Sequence, residues 1–243
     1  MWTMGTSWPL IVSPNAVSCL PRGGDAGRSA GARGADGEIG AGIRQRRTSG
    51  SKPEMRVSDI LEPRRRILLS MPIQSILDQL PDYARDLKVN LQNVLQQQEL
   101  TPQQTWMCAV ACAIASRNTE LTHVIAEEAA AKVSPETVQA GRTAGALMGM
   151  NNVFYRFRHF IQSKPEYAQV PARLRMQAIR SHGGDPVDFE LACLAASAIK
   201  GCEACVVAHE QVVRDKGLNE NQVTAAVRIA ATLHAVATVL DAL

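Results

Sequence analysis

From Pro72 onward the chain is punctuated as helices. Thr101-Pro102-Gln103-Gln104 and Ser134-Pro135-Glu136-Thr137 each read as an N-cap, a first-turn proline and a helix start. Gly183-Gly184-Asp185-Pro186 repeats the theme with Asp185 as the cap, and Asn219-Glu220-Asn221-Gln222 opens a last helix once Gly217 has stopped the one before. A side-chain oxygen at a cap accepts from backbone N–H groups that the first turn leaves unpaired, and proline fits there because its missing N–H has no partner to lose. Between these marks apolar residues recur three and four apart. Ile76, Leu77 and Leu80 make a short amphipathic turn before Pro81, and Tyr83, Leu87, Leu91 and Val94 define one apolar helix face. No strand alternation of convincing length interrupts them. The pattern predicts an all-α domain over residues 71–243.

The helices differ in what they can pack. The one opened at Thr101 is rich in small residues, and its Cys108 and Cys112, four apart, read as buried small hydrophobes. Arg117-Asn118 ends it, and the helix from Thr119 to Lys132 carries His123 as a surface residue. Gly141, Gly145 and Gly149 form a four-residue repeat on the next helix. Such a repeat serves helix pairing in membranes, but no apolar run of about twenty residues accompanies it, so it reads as close packing in a core. Phe154, Tyr155, Phe157 and Phe160 read as core or subunit contact, or else as a wall of a pocket, and Arg156, Arg158 and His159 as partners for acids on a neighbouring subunit. Val223 to Leu243 is almost all Ala, Val, Ile and Leu, which places it in the core or between subunits, with His234 packed inside.

Composition divides the chain. Residues 1–70 hold ten of the seventeen glycines and a net charge of +5, which leaves −2 for the remainder of a chain whose total is +3. The stretch has little apolar surface to offset its ordering entropy, so a disordered Gly/Arg-rich leader is expected. It lacks the basic n-region and uninterrupted apolar run of a secretory signal, and its acids argue against an organellar transit peptide. It reads as a dispensable tail or as sequence upstream of a true start at Met71. The triplet Arg64–Arg66 is a solvated charge cluster rather than a nucleic-acid contact, so neither nucleic acid nor membrane is an expected partner.

The chemistry lies between Phe189 and Glu210, FELACLAASAIKGCEACVVAHE. Cys202 and Cys205 form a Cys-x-x-Cys pair, and His209 follows four residues later. If a helix begins near Gly201, all three share a face. The unpaired N–H groups of a first helical turn favour thiolate over thiol, and His209 is a base placed to take or return the thiol proton. Gly201 should break the chain into two helices that fold back, bringing Glu190 toward the pair. A structural disulfide does not suit a reducing compartment. Zinc would call on a second ligand pair that the sequence lacks, and haem attachment fails because Val206 follows Cys205. Redox work is favoured. No phosphate loop or dinucleotide fingerprint is present, so no bound cofactor is expected and the electrons must come from another carrier.

Glu190, the twelve-residue gap to Cys202-Glu203-Ala204-Cys205, and Val207-Ala208-His209-Glu210 resemble the active-site segment of the alkyl hydroperoxidase D family, within the carboxymuconolactone decarboxylase-like superfamily. Met148-Gly149-Met150-Asn151-Asn152-Val153-Phe154-Tyr155-Arg156 and Leu80-Pro81-Asp82-Tyr83-Ala84-Arg85-Asp86 resemble it too, so the likeness runs from about Met71 to the C-terminus. The resemblance implies an antioxidant thiol peroxidase in which Cys205 is the peroxidatic cysteine and forms a sulfenic acid. Cys202 would then be proton donor and resolving thiol, closing a Cys202–Cys205 disulfide, with Glu190 and His209 as proton relay. It further implies a cytoplasmic homotrimer that reduces alkyl hydroperoxides and an AhpC-type peroxiredoxin. Its electrons would come from dihydrolipoamide carried on a lipoyl-bearing acyltransferase. Ala204 departs from relatives with histidine there, and helix electrostatics alone would favour Cys202 as the more acidic thiol. The rival readings are a redox-sensing or zinc-binding module without turnover, and a decarboxylase of the wider superfamily.

Overall fold

The computed structural model describes residues 73–243, all helix and connecting turn, with no strand among the described residues. The leader expected at 1–70 lies outside them. Eight α-helices follow in order: α1 (Ile73–Gln79), α2 (Arg85–Val94), α3 (Pro102–Ser116), α4 (Thr119–Ala130), α5 (Pro135–Phe160), α6 (Pro186–Lys200), α7 (Glu203–Asp215) and α8 (Glu220–Leu240). Short 3-10 turns occupy Asp82–Ala84, Pro165–Gln169 and Gln177–Arg180.

The cap signatures become the helix starts. Thr101 and Asn219 each close a capping box, with Gln104 and Gln222 as the reciprocal side chains. The Ser134 hydroxyl accepts from Thr137 N–H, and the Asp185 carboxylate from both Val187 and Asp188 N–H. Arg117, Gly201 and Gly217 all take the left-handed conformation at or just past helix ends, where a positive φ reverses the chain and lets its N–H groups reach the last carbonyls.

Helix α3 is the centre. It packs against α5, α6 and α8 and along α4, so nearly every residue on it is buried, Cys108 and Cys112 included. A helix enclosed on all sides needs small side chains to let its neighbours approach, which is why Ala and Cys fill it. Gly141 and Gly145 serve the same end from α5: a β-carbon on Gly145 would stand 2.9 Å from the Ala111 carbonyl oxygen of α3. Gly149, the third member of the repeat, faces open space.

Several expectations change. Tyr83 sits in the 3-10 turn before α2 and is exposed, so the apolar face begins at Leu87. His234 is exposed, because the buried stripe of α8 runs through Ile229, Ala230, Leu233, Val236 and Ala237. Helix α8 is long and apolar enough to cross a membrane by length and composition, and it packs that stripe against α3, α6 and α2. The aromatic block is not core of this chain: Phe157 and Phe160 face outward.

Candidate active site

Helices α6 and α7 fold back on each other at Gly201, and this places the chemistry. Gly201 caps α6 with φ 63° and ψ 38°, its N–H reaching the Ser197 and Ala198 carbonyls. Cys202 then occupies the N-cap of α7 in extended backbone, and its N–H donates to the Ser197 carbonyl. Cys205 lies in the first turn, with the next N–H, that of Val206, donating to the Cys202 carbonyl. The two cysteines form a disulfide with Cα atoms 5.3 Å apart. Cys202 is fully buried, whereas Cys205 keeps 6% of its surface open. Both sulfurs stand at the positive end of α7, where negative charge is favoured.

His209 lies one turn beyond Cys205 on α7. Its Nδ1 is 2.5 Å from Oε2 of Glu190 on α6, across 19 residues of sequence. Both side chains are partly buried. In the neutral tautomer with the proton on Nδ1, the imidazole donates to the carboxylate and leaves Nε2 able to accept a proton. A partly buried carboxylate thereby orients a base one turn from Cys205. The four residues singled out from sequence come together as two bonded pairs, Cys202–Cys205 and Glu190–His209.

The three free cysteines among the described residues have a different character. Cys108, Cys112 and Cys193 are fully buried, and burial pushes all three thiols well up. Thiols held neutral in apolar surroundings are inert, which among the described residues confines thiol reactivity to the pair.

A further set of contacts reaches the site from α5. Arg156 Nη1 donates to the Lys200 carbonyl at 2.5 Å, and His159 Nε2 lies 3.3 Å from Glu203 Oε2. Arg158 donates to the carbonyls of Tyr167 and Ala168 and lies over the Phe154 ring. Arg156, Arg158 and His159, read from sequence as partners for acids on a neighbouring subunit, each have a partner within this chain. The signal was present in the spacing: Asn152, Arg156 and His159 repeat at intervals of four and three on one helix face.

The chain is similar to known proteins. Residues 165–243 match the Carboxymuconolactone decarboxylase family. The chain is 52% identical over 171 residues to "Alkyl hydroperoxide reductase AhpD" of Solibacter usitatus, an alignment covering 70% of this chain and 96% of that relative. It is 52% identical over 173 residues to the protein of that name from Acidobacterium capsulatum, covering 71% of this chain and 94% of the relative. For the same-named protein of Gluconacetobacter diazotrophicus the figures are 49% over 171 residues, 70% and 93%.

Proposed function

Because this chain belongs to the alkyl hydroperoxide reductase AhpD family, we propose that it is a thiol peroxidase that reduces alkyl hydroperoxides through Cys205 and Cys202. The observation that carries the reading is the fold-back at Gly201. It sets a buried cysteine pair on the N-terminus of α7 and a Glu190-oriented His209 one turn further on.

The chemistry follows from the arrangement. The Cys205 thiolate attacks the peroxide oxygen; the O–O bond breaks, Cys205 becomes a sulfenic acid, and the alkoxide leaves as alcohol with a proton from Cys202 or the relay. The Cys202 sulfur then displaces water from the sulfenic acid and closes the disulfide. A dithiol of the dihydrolipoyl class reopens it by exchange, becoming a cyclic disulfide in turn. Supporting Cys205 as the attacking residue is its slight exposure, 6% against 0% for Cys202. His209 takes the thiol proton, while Glu190 fixes its tautomer and stabilises the imidazolium, a division of labour that buried carboxylate–histidine pairs serve elsewhere. Ala204 adds no titratable group, so this relay acts alone.

The same reading assigns a second electron outlet to an AhpC-type peroxiredoxin and a source in a lipoyl-bearing acyltransferase. It makes the protein a homotrimer and places it in the cytoplasm, where thiol carriers remain reduced. The exposed Phe157 and Phe160 support a subunit contact, being large apolar groups that the described helices leave uncovered. The test is hydroperoxide consumption by purified protein with dihydrolipoamide as sole reductant, wild type against Cys205→Ser and Glu190→Gln. Turnover abolished by the first change and cut about 10²-fold by the second is expected. Wild-type protein that forms a reducible disulfide but consumes no peroxide would leave only an electron carrier.

A further inference from the structure

The turn that presents Cys202 is held from outside by one face of α5. Asn152, Arg156 and His159 meet three successive positions of the fold-back. The Ser197 hydroxyl donates to Asn152 Oδ1 at 3.0 Å, the Arg156 guanidinium grips the Lys200 carbonyl, and His159 meets the Glu203 carboxylate. The first rung is wholly buried, with Asn152 Nδ2 left without a protein partner. The last is at the surface, where Glu203 is 74% exposed. The middle rung lies directly before Gly201 and Cys202, so it is the one that sets where the N-cap sulfur stands.

The charges around this turn come from every packed element. Helix α5 supplies Arg156 and His159, α6 supplies Lys200 and Glu190, and α7 supplies Glu203 and His209. Burial, and then Arg117 at the end of α3 and Arg156 itself, hold the Lys200 amine below its ordinary value. Glu203 sits between the two cysteines in sequence, and its negative charge opposes thiolate formation. Arg156 is half-buried and its one hydrogen-bond partner among the described residues is a neutral carbonyl, so no described carboxylate cancels its charge. A cation left uncompensated beside a thiol pair lowers the cost of ionising it.

We propose that Arg156 is a positioning residue of the thiol site, holding the Gly201–Cys202 turn through the Lys200 carbonyl and favouring thiolate in the reduced pair, while Glu203 opposes it and His159 tempers Glu203. The proposal rests on the thiol reading of Cys202 and Cys205, but its test needs no peroxide. Reduced full-length protein is labelled with iodoacetamide between pH 5 and 9, and the rate at each cysteine is followed by peptide mass spectrometry. Circular dichroism and thermal melting check folding.

Arg156→Met should raise the midpoint of the faster cysteine by about half to one pH unit, which slows labelling at neutral pH roughly three- to tenfold. Arg156→Lys should recover part of that, keeping charge without the planar fork. Glu203→Gln should move the midpoint down. His159→Gln should move it up in wild type and not at all when Glu203 is already Gln. A merely structural clamp would shift Arg156→Met and Glu203→Gln the same way, or shift neither, and either result overturns the proposal. Should Arg156→Met fail to fold, Arg156→Lys and the Glu203/His159 cycle decide by the same signs. Loss of peroxide turnover in wild type with these shifts intact would refute the peroxidase reading and leave this one standing.

Discussion

Gly145→Ala and Gly149→Ala are the same chemical change on the same helix, and they should move stability in opposite directions. At Gly145 the added β-carbon would meet the Ala111 carbonyl oxygen and Ile114 Cβ at 2.9 Å and Ile114 Cγ2 at 3.0 Å; at Gly149 nothing lies within 4 Å. Ordinary contact needs about half an ångström more, and at Ala111 the obstacle is backbone of the central helix, which has neighbours behind it and cannot give. Overpacking of this kind costs about 1–3 kcal/mol. Replacing a helix-interior glycine returns about 0.5–1 kcal/mol by restricting the unfolded chain. Gly149→Ala keeps only the gain and should stabilise by about 0.5–1 kcal/mol, whereas Gly145→Ala should lose roughly 0.5–2 kcal/mol net. For a chain of this size each kcal/mol moves Tm by about 2–4 °C. Urea denaturation of reduced protein, with all variants at one concentration to hold any association constant, reads the difference. A Gly145→Ala variant as stable as Gly149→Ala would refute the close approach of α5 to α3. Gly141→Ala, with the Met107 carbonyl oxygen at 2.8 Å, should side with Gly145.

Three further outcomes are expected. Asn118 caps α4 by accepting from Leu121 N–H at 2.8 Å and donates to Asp241 at 2.7 Å, so Asn118→Ala should cost about 1–2 kcal/mol, and hydrogen exchange should show the end of α8 fraying. Asn118→Asp, which retains the cap oxygen but faces Asp241 with a second carboxylate, should not restore that end. Burial holds the Asp188 carboxyl above its ordinary value, so the folded state binds that proton more readily than the unfolded chain. Its stabilising contribution is full below the unfolded value and is lost as pH rises through the folded one. Asp188→Asn should therefore raise Tm at pH 7 and give no gain near pH 3.5; a gain that grows toward acid would reverse the sign. Finally, iodoacetamide at pH 8 should label Cys202 and Cys205 in reduced native protein, and Cys108, Cys112 and Cys193 only in denaturant. Labelling of Cys193 at the rate of Cys205 would contradict its burial.

Local chemistry was legible in the sequence wherever a residue acts on its own neighbours along the chain. Caps at Thr101, Ser134, Asp185 and Asn219, the stops at Arg117, Gly201 and Gly217, and the shared face of Cys205 and His209 all depend on contacts within a turn or two. Spacing alone is enough to place them. Which face of an apolar helix becomes core is a different matter, because it depends on what arrives from elsewhere. Helix α8 is apolar on almost every side, so its composition could not say that His234 would point outward. Tyr83 fitted the helical period but fell in a 3-10 turn one step too early. The aromatics of α5 read equally as core or as subunit contact, and Phe160 is 73% exposed because α3 and α6 take the opposite, glycine- and asparagine-bearing face. Likewise the glycine repeat signalled close packing, but only the position of α3 decided that Gly141 and Gly145 need to be glycine and Gly149 does not. The sequence by itself determined the helices, their ends and the thiol pair. The tertiary structure decided that Glu190 meets His209 across the Gly201 turn and that Arg156 reaches the carbonyl before it. Both are contacts between helices, and no periodicity within one helix encodes the orientation of the next.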